Sequence, residues 1–255
     1  MMQLEDRVAI VTGGGTGIGR AIALKFAREG ASVAICGRRK EPLEQVAEEL
    51  HGIGAKCLAE SADVSKRADV ERFFGNVIER FGRLDILVNN AGILFRKDIE
   101  ATSEEDWDLM FDINVKGVYL CSKVAIEQMK RQNSGNILNI GSVSGLRATT
   151  YADAYSASKA AVHILTRSLS KGYAKHGIRV NCICPAHVDT PIMDTTIDFY
   201  NSIGVVSDRA KIDSMYPLKR RGMPEDIAET ALFLVSDKSS WMTGSLIVLD
   251  GGVTA

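Results

Sequence analysis

The chain predicts an α/β fold, a parallel sheet covered by helices on both faces. Three observations carry that prediction. Short apolar runs alternate with amphipathic segments from one end to the other, and strand–helix alternation of this kind leaves the strands parallel. A glycine-rich turn separates the first strand from the first helix. The 255 residues, 45% of them hydrophobic, can bury a sizeable core and show no internal repeat, low-complexity run or linker, so one domain is the economical reading.

In chain order, residues 7–12 read as a buried strand and 17–29 as the helix that follows. Residues 32–36 form the second strand, and the helix over 41–53 carries apolar Leu43, Val46, Ala47 and Leu50. A strand at 56–61, a helix at 66–81 and a strand at 85–88 continue the alternation. The stretch 103–130 reads as one long helix. Ser103, followed by Glu104, Glu105 and Asp106, supplies a capping hydroxyl and acids in the first turn. A strand at 136–140, a helix at 153–175 and a strand at 178–184 come next. Residues 185–222 break the rhythm, being rich in Asp, Thr, Ser and Met without a sustained period. A connection of that length in a compact domain is usually functional or mobile, and it reads as a partly helical lid over a site formed by the strand ends. A helix at 224–236, with Pro224 where a missing N–H costs nothing, and a strand at 245–249 close the order.

Composition narrows the function. The formal net charge is −1, so no global field favours nucleic acid or a membrane surface. No apolar stretch reaches ~18 residues, and the first residues lack the basic-then-apolar pattern of a signal peptide. The expectation is a cytoplasmic protein. Its five cysteines are odd in number and lack framework spacing, and Cys36, Cys182 and Cys184 lie in strand-like runs as reduced core residues. Cys182-Ile183-Cys184 lacks the second pair and the histidines of a zinc site. His51, His163, His176 and His187 show no metal spacing, so no metal is expected, and His163 is read as packed against its own helix.

The run Thr12-Gly13-Gly14-Gly15-Thr16-Gly17-Ile18-Gly19 lies between a strand and a helix. Glycines permit the tight turn, let the backbone approach a pyrophosphate and let helix pack on strand, while the helix N-terminus offers free N–H groups to the anion. Placed there, the run reads as a dinucleotide cradle. Its spacing differs from G-x-G-x-x-G, and no Gly-Lys-Ser/Thr follows, so it is not a P-loop. The second strand ends Cys36-Gly37-Arg38-Arg39, without the acid that holds a ribose 2′-OH in NAD sites. Two guanidiniums suit a 2′-phosphate instead, so NADP(H) is the expected cofactor, with NAD(H) the alternative.

Tyr155-Ser156-Ala157-Ser158-Lys159 places a phenol and an ammonium four residues apart on one helix face. A fixed cation beside a phenol favours phenolate, which makes Tyr155 a candidate acid/base for an alcohol or a carbonyl.

With Gly13, Gly17 and Gly19, Asn89-Asn90-Ala91-Gly92, Ser142 and Tyr155-x-x-x-Lys159 in this order, the chain resembles a short-chain dehydrogenase/reductase from Leu4 to Gly252. The resemblance implies a single Rossmann-like, doubly wound parallel sheet of about seven strands. It also implies hydride transfer between a nicotinamide and an alcohol or carbonyl carbon. Carried over position by position, Tyr155 is the acid/base, Lys159 holds the nicotinamide ribose, and Ser142 hydrogen-bonds the substrate oxygen. Asn114 interrupts its long helix and holds a water linked to Lys159. The cofactor contacts are Thr12, Gly13, Gly15, Thr16, Gly17, Ile18 and Gly19 in the cradle, Arg38 and Arg39 after the second strand, and Asp63 with Val64 around the adenine. Asn90, Ala91 and Gly92 stand beside the adenine ribose, and Pro185, Val188 and Thr190 lie on the carboxamide or phosphate side. Where the family commonly has Pro-Gly, this chain has Pro185-Ala186.

The expected substrate is a small carbonyl or alcohol. A β-ketoacyl thioester is the family default, with a sugar acid of the gluconate type or a hydroxysteroid as alternatives. Expected walls are Leu94, Phe95 and Arg96, residues 144–150, and the stretch 187–216, which includes Met193, Ile197, Phe199 and Tyr200. Within the walls Arg96, Arg147 and His187 suit an anion. A protein that binds nucleotide without turnover is the rival from another class, but it is expected to lose Tyr or Lys, and both are present. Val118, Leu120, Val124, Ala160, Ala161, Ile164 and Leu165 give the two long helices apolar residues beyond one face. With the helix and strand interfaces that the resemblance implies, they point to a homotetramer.

Overall fold

The computed structural model describes residues 2–255. Its strands are β1 (Val8–Thr12), β2 (Ser32–Gly37), β3 (Cys57–Ser61), β4 (Ile86–Asn89), β5 (Gly135–Ile140), β6 (Ile178–Pro185) and β7 (Leu246–Leu249). They form one sheet in the order β3-β2-β1-β4-β5-β6-β7, and every pairing is parallel. This is the Rossmann-like, doubly wound sheet. The helices are α1 (Gly17–Arg28), α2 (Lys40–Gly52), α3 (Arg67–Phe81), α4 (Glu104–Phe111), α5 (Gly117–Gln132), α6 (Asp153–Tyr173), α7 (Pro191–Ser202), α8 (Arg209–Ser214) and α9 (Pro224–Val235).

Alternation along each strand feeds two cores. Ala9, Val11, Val33, Ile35 and Ile183 face α1, α2 and α9, where Phe26, Leu50 and Leu234 are buried. Val8, Ile10, Ala34, Leu87 and Val180 face α3 and α5, where Phe73, Val77 and Met129 are buried. With both faces covered, the strands read as apolar runs instead of an in-out pattern. Strand order reverses at β1 and β4, which opens a crevice at their C-terminal ends. No helix among the described residues is long and apolar enough to cross a membrane.

Two stretches of the sequence reading bear on the site. The stretch 103–130 is not one α-helix. Ser103 Oγ caps α4 by accepting from Asp106 N at 3.2 Å, but a π-helical turn at Asp112–Lys116 separates α4 from α5. The interruption that the resemblance implied at Asn114 lies in this turn, and π-turns often mark functional sites. Gly117 lets the helix resume close to the β3–α3 loop, since a Cβ there would stand 2.7 Å from Val64 Cγ2. Residues 185–222 are partly helical, as read, and contain α7 and α8. Of the residues read as surplus apolar surface, Val118 and Leu120 are buried within the chain, whereas Ile164 is 63% exposed.

Candidate active site

The crevice holds two adjoining cavities of about 660 and 410 Å³ that share Ile18, Asn90, Gly92 and Thr190. Gly13, Gly15, Thr16, Gly17, Arg38, Arg39, Asp63, Val64 and Ala91 line the larger one. Its floor is the cradle. Gly13 and Gly17 adopt φ of +64° and +53°, which side chains disfavour. The first turn of α1 carries no acid, and Thr16 makes no side-chain cap, so its amides are left to an external anion. These features fit the pyrophosphate of a dinucleotide.

Two cradle residues serve the scaffold. Thr12 is buried, and its Oγ1 donates to Val88 O at 3.3 Å while accepting from Asn90 N and Ala91 N, each at 3.0 Å. Gly19 faces the turn itself, where a Cβ would stand 2.3 Å from Gly13 O. Neither lines a cavity, and each braces the cradle from within. Asn90 lines both cavities and donates through Nδ2 to Thr12 O and Gly13 O.

Arg38 and Arg39 are exposed at the rim and make no ion pair among the described residues. Burial works against the Asp63 charge, but bonds from Ser65 Oγ and N, with Arg38 nearby, hold its carboxyl below the usual range.

The smaller cavity gathers Ser142, Tyr155 and Lys159 with Pro185, Val188 and Thr190. The end of β5 leads straight into Ser142, and α6 presents Tyr155 and Lys159 one turn apart. Lys159 Nζ donates to Ile140 O at 2.8 Å and lies 5.7 Å from the Tyr155 ring centroid. Asn114 stands behind this wall. Its Oδ1 accepts from Ile93 N at 2.9 Å, and its Nδ2 donates to Ile93 O at 3.0 Å and Ser158 Oγ at 3.1 Å. The π-turn thus ties the β4–α4 loop to α6.

The outer wall differs in part from expectation. Leu94, Met193 and Tyr200 line the cavity. Phe95 instead packs under Lys97, Phe199 against Tyr151, and Ile197 against the cluster of Met193, Ile212 and Tyr216. Leu146 is exposed outside the cavity lining. Val253 joins the wall from the C-terminal end, through turns at Gly251 and Gly252 with positive φ. Glycine pairs signal a turn in sequence, but not where the residue after them points.

The lining carries Arg96, Arg147 and Lys159 and no carboxylate. Arg96 Nη1 donates to Thr150 O at 3.3 Å and Tyr200 OH at 3.4 Å, and the guanidinium lies 5.0 Å from the Tyr200 ring centroid. Burial lowers its pKa, opposed by Tyr200 and Tyr155. An arginine stays charged regardless. Tyr216 OH accepts from His187 N at 2.9 Å and lies 2.9 Å from His187 Nδ1. Burial, then Arg96, pulls the His187 pKa down and keeps the ring neutral.

One sequence reading is corrected. A histidine does meet the Cys182/Cys184 pair, because α6 packs on β6 and brings His163 Nε2 within 3.3 Å of Cys184 Sγ. The two thiols are 3.9 Å apart. A bond from Cys182, then His163, draws the Cys184 thiol down, while the same bond and burial push Cys182 up. Linear spacing cannot show a contact made between a helix and a strand.

A family model described as enoyl-(acyl carrier protein) reductase matches residues 13–254. An uncharacterized oxidoreductase of Thermotoga maritima is 42% identical over 254 residues, 100% of each chain. The 3-oxoacyl-(acyl-carrier-protein) reductase of the same organism is 36% identical over 99% of each chain. A 2-(S)-hydroxypropyl-CoM dehydrogenase of Xanthobacter autotrophicus is 38% identical over 99% of this chain and 98% of its own. Among solved structures, a short-chain type dehydrogenase/reductase from Mycobacterium marinum superposes with a TM-score of 0.92 at 35% identity, covering 100% of this chain and 98% of its own. An actinorhodin polyketide ketoreductase with NADPH does so with 0.94 at 32% identity, covering 97% of each.

Proposed function

The chain belongs to the short-chain dehydrogenase/reductase family and is an oxidoreductase of CH–OH or ketone groups; from that premise we propose that it moves a hydride between NADP(H) and a small ketone or secondary alcohol bearing an acidic group. The carrying observation is one cavity that joins Ser142, Tyr155 and Lys159 to Arg96 and Arg147 and contains no carboxylate. Bound across the two adjoining cavities, a nicotinamide cofactor would supply or accept the hydride. In reduction Tyr155 gives its phenolic proton to the carbonyl oxygen, and Ser142 Oγ donates a second hydrogen bond to that oxygen. Lys159, fixed by Ile140 O, holds the ribose hydroxyls. Asn114 keeps α6 in place through Ser158. Arg38 and Arg39 bind the 2′-phosphate, which makes NADP(H) the preferred cofactor over NAD(H).

The acidic group follows from charge. A carboxylate in this cavity gains Arg96, which has no carboxylate partner among the described residues, and meets the His187 ring that lines the same wall. A sugar acid or another short keto acid satisfies both. A β-ketoacyl thioester is the second reading, favoured by the 36% identity to a 3-oxoacyl reductase. α7 and α8 cover the cavity as its lid. Exposed Ile164 on α6 and the half-exposed edge strand β7 suit the two interfaces of a homotetramer, and five free cysteines suit a reducing cytoplasm.

A panel of keto acids and acyl thioesters assayed with NADPH tests the substrate reading. Keto acids are expected to have the higher kcat/KM, and Arg96→Gln to lower it at least about 10-fold for acids and within about 2-fold for neutral ketones. Equal loss on neutral and acidic substrates would refute the charge argument.

A further inference from the structure

Behind the Ser142 loop three buried donor atoms converge from two rigid elements. His163 Nε2 comes from α6, and Cys182 Sγ and Cys184 Sγ come from one face of β6. None of the three side chains is more than 2% exposed. The separations are 3.9 Å between the sulfurs and 3.3 Å from Cys184 Sγ to Nε2, and all three atoms lie within 4.8 Å of one another.

We propose that His163, Cys182 and Cys184 bind one divalent thiophilic metal ion, and that loading this site releases the Ser142 loop. An ion equidistant from donors so spaced stands roughly 2.0–2.4 Å from each, the range of zinc–nitrogen and zinc–sulfur bonds. Soft thiolates and an imidazole select such ions over magnesium or calcium. Charge agrees as well. Binding displaces two thiol protons, and two thiolates with a neutral imidazole cancel the two positive charges, so an uncharged unit is buried. The imidazole already presents the required lone pair. The Ser142 amide can only donate, and it faces Nε2 at 3.5 Å, so Nε2 is the acceptor. The approach is through the floor of the substrate cavity, which Gly141 lines. A Cβ at Gly141 would stand 2.5 Å from Nε2 and 2.7 Å from Cys182 Sγ, so only glycine lets the loop lie directly against these donors.

The functional consequence rests on the role proposed for Ser142. His163 is a positioning residue, with its ring inserted under the loop between Gly141 and Gly145, where a Cβ would come within 2.6 Å of Cε1. A metal ion on Nε2 takes the lone pair that receives the Ser142 amide proton. The loop then loses its tie, and Ser142 Oγ leaves the position from which it meets the substrate oxygen.

The test uses the full-length protein, reduced and freed of reductant, with Cd²⁺ as the probe. The ultraviolet thiolate-to-cadmium charge-transfer band should saturate at one equivalent with release of two protons. Cys182→Ala with Cys184→Ala should abolish it. Cys57→Ser should leave it unchanged, although Cys57 lies 3.3 Å from His51 Nε2, because only two donors meet there. On loading, amide exchange in the peptide spanning 141–147 should accelerate and carbonyl reduction should fall at least 10-fold, with the double alanine variant immune to both. No band at one equivalent, or a band that persists in the double variant, overturns the site. A band without faster exchange overturns the link to Ser142. The band and the exchange are read without substrate, so failure of the proposed reaction is scored separately.

Discussion

The proposed preference for NADP(H) rests on Arg38 and Arg39, and removing them has a calculable effect. Both guanidiniums stand at the rim of the larger cavity, just past the end of β2, and neither is tied up in an ion pair among the described residues. A charge-assisted hydrogen bond contributes ~1.5–3 kcal/mol. Solvent at this open rim lowers that to about 1–2 kcal/mol per arginine. Since 1.4 kcal/mol is tenfold, Arg39→Ala should lower kcat/KM for NADPH roughly 5- to 30-fold. The double variant with Arg38→Ala should lose roughly 30-fold or more, short of strict additivity because the residues are neighbours. NADH has no 2′-phosphate, so its kcat/KM should stay within about 2-fold. The assay is initial rates with each cofactor on one ketone substrate. The wild-type preference should also shrink as salt is raised, since these charges are exposed. Equal losses with both cofactors would mean that the arginines only shape the adenine wall. A wild-type preference for NADH would refute the assignment outright.

Two further outcomes are expected. Tyr155→Phe should lower kcat at least 100-fold while NADPH affinity, read by fluorescence titration, stays within about 2-fold; retention of more than a few per cent of turnover would mean that another group moves the proton. His187, with its pKa depressed by burial and then by Arg96, binds fewer protons in the folded than in the unfolded state. Its contribution to stability is therefore complete above the unfolded pKa of ~6.5 and is lost as pH falls through the folded value. The urea midpoint should drop between pH 7.5 and 5.5 by less in His187→Gln than in wild type, and an identical drop in both would count against a buried neutral ring.

Most of the fold was legible because its signals are local. Seven apolar runs, the cradle after the first and the four-residue step from Tyr155 to Lys159 each lie within one element or one turn. What was hidden depends on contacts between elements. Thr12 and Gly19 read as cofactor contacts within a glycine-rich run, and only the neighbouring β4 and the returning turn show that they also brace the cradle. The break at Asn114 came from the family resemblance, and its form as a π-turn over Asp112–Lys116 was not legible in the apolar pattern. His163 and Cys184 are 21 residues apart, and their meeting depends on how α6 sits on β6. Phe95 and Val253 exchanged roles at the wall because loop direction, unlike helix periodicity, has no sequence period.

The same contrast separates the chemistry from the specificity. A buried polar chain runs from Ser122 through Asn89 and Asn139 to Thr166, with bonds of 3.0, 2.8 and 2.8 Å, and ties β4 and β5 to α5 and α6. With the bonds of Asn114 and Lys159 it fixes α6 from within the low-dielectric core, where breaking any one link strands a partner. α7 and α8 are held differently. Their apolar anchor is the small cluster of Met193, Ile212 and Tyr216. Arg221 bridges Asp189 and Asp213 at 2.7 Å each, and Arg209 reaches Asp189 at 3.2 Å and Asp194 at 2.7 Å, at partly exposed positions. Such pairs weaken with salt, whereas the core chain does not. Proton transfer needs fixed geometry, and substrate entry needs a wall that opens. Tyr155 and Lys159 stand on the side of the cavity tied by the core chain, and α7 lines the side held by partly exposed ion pairs.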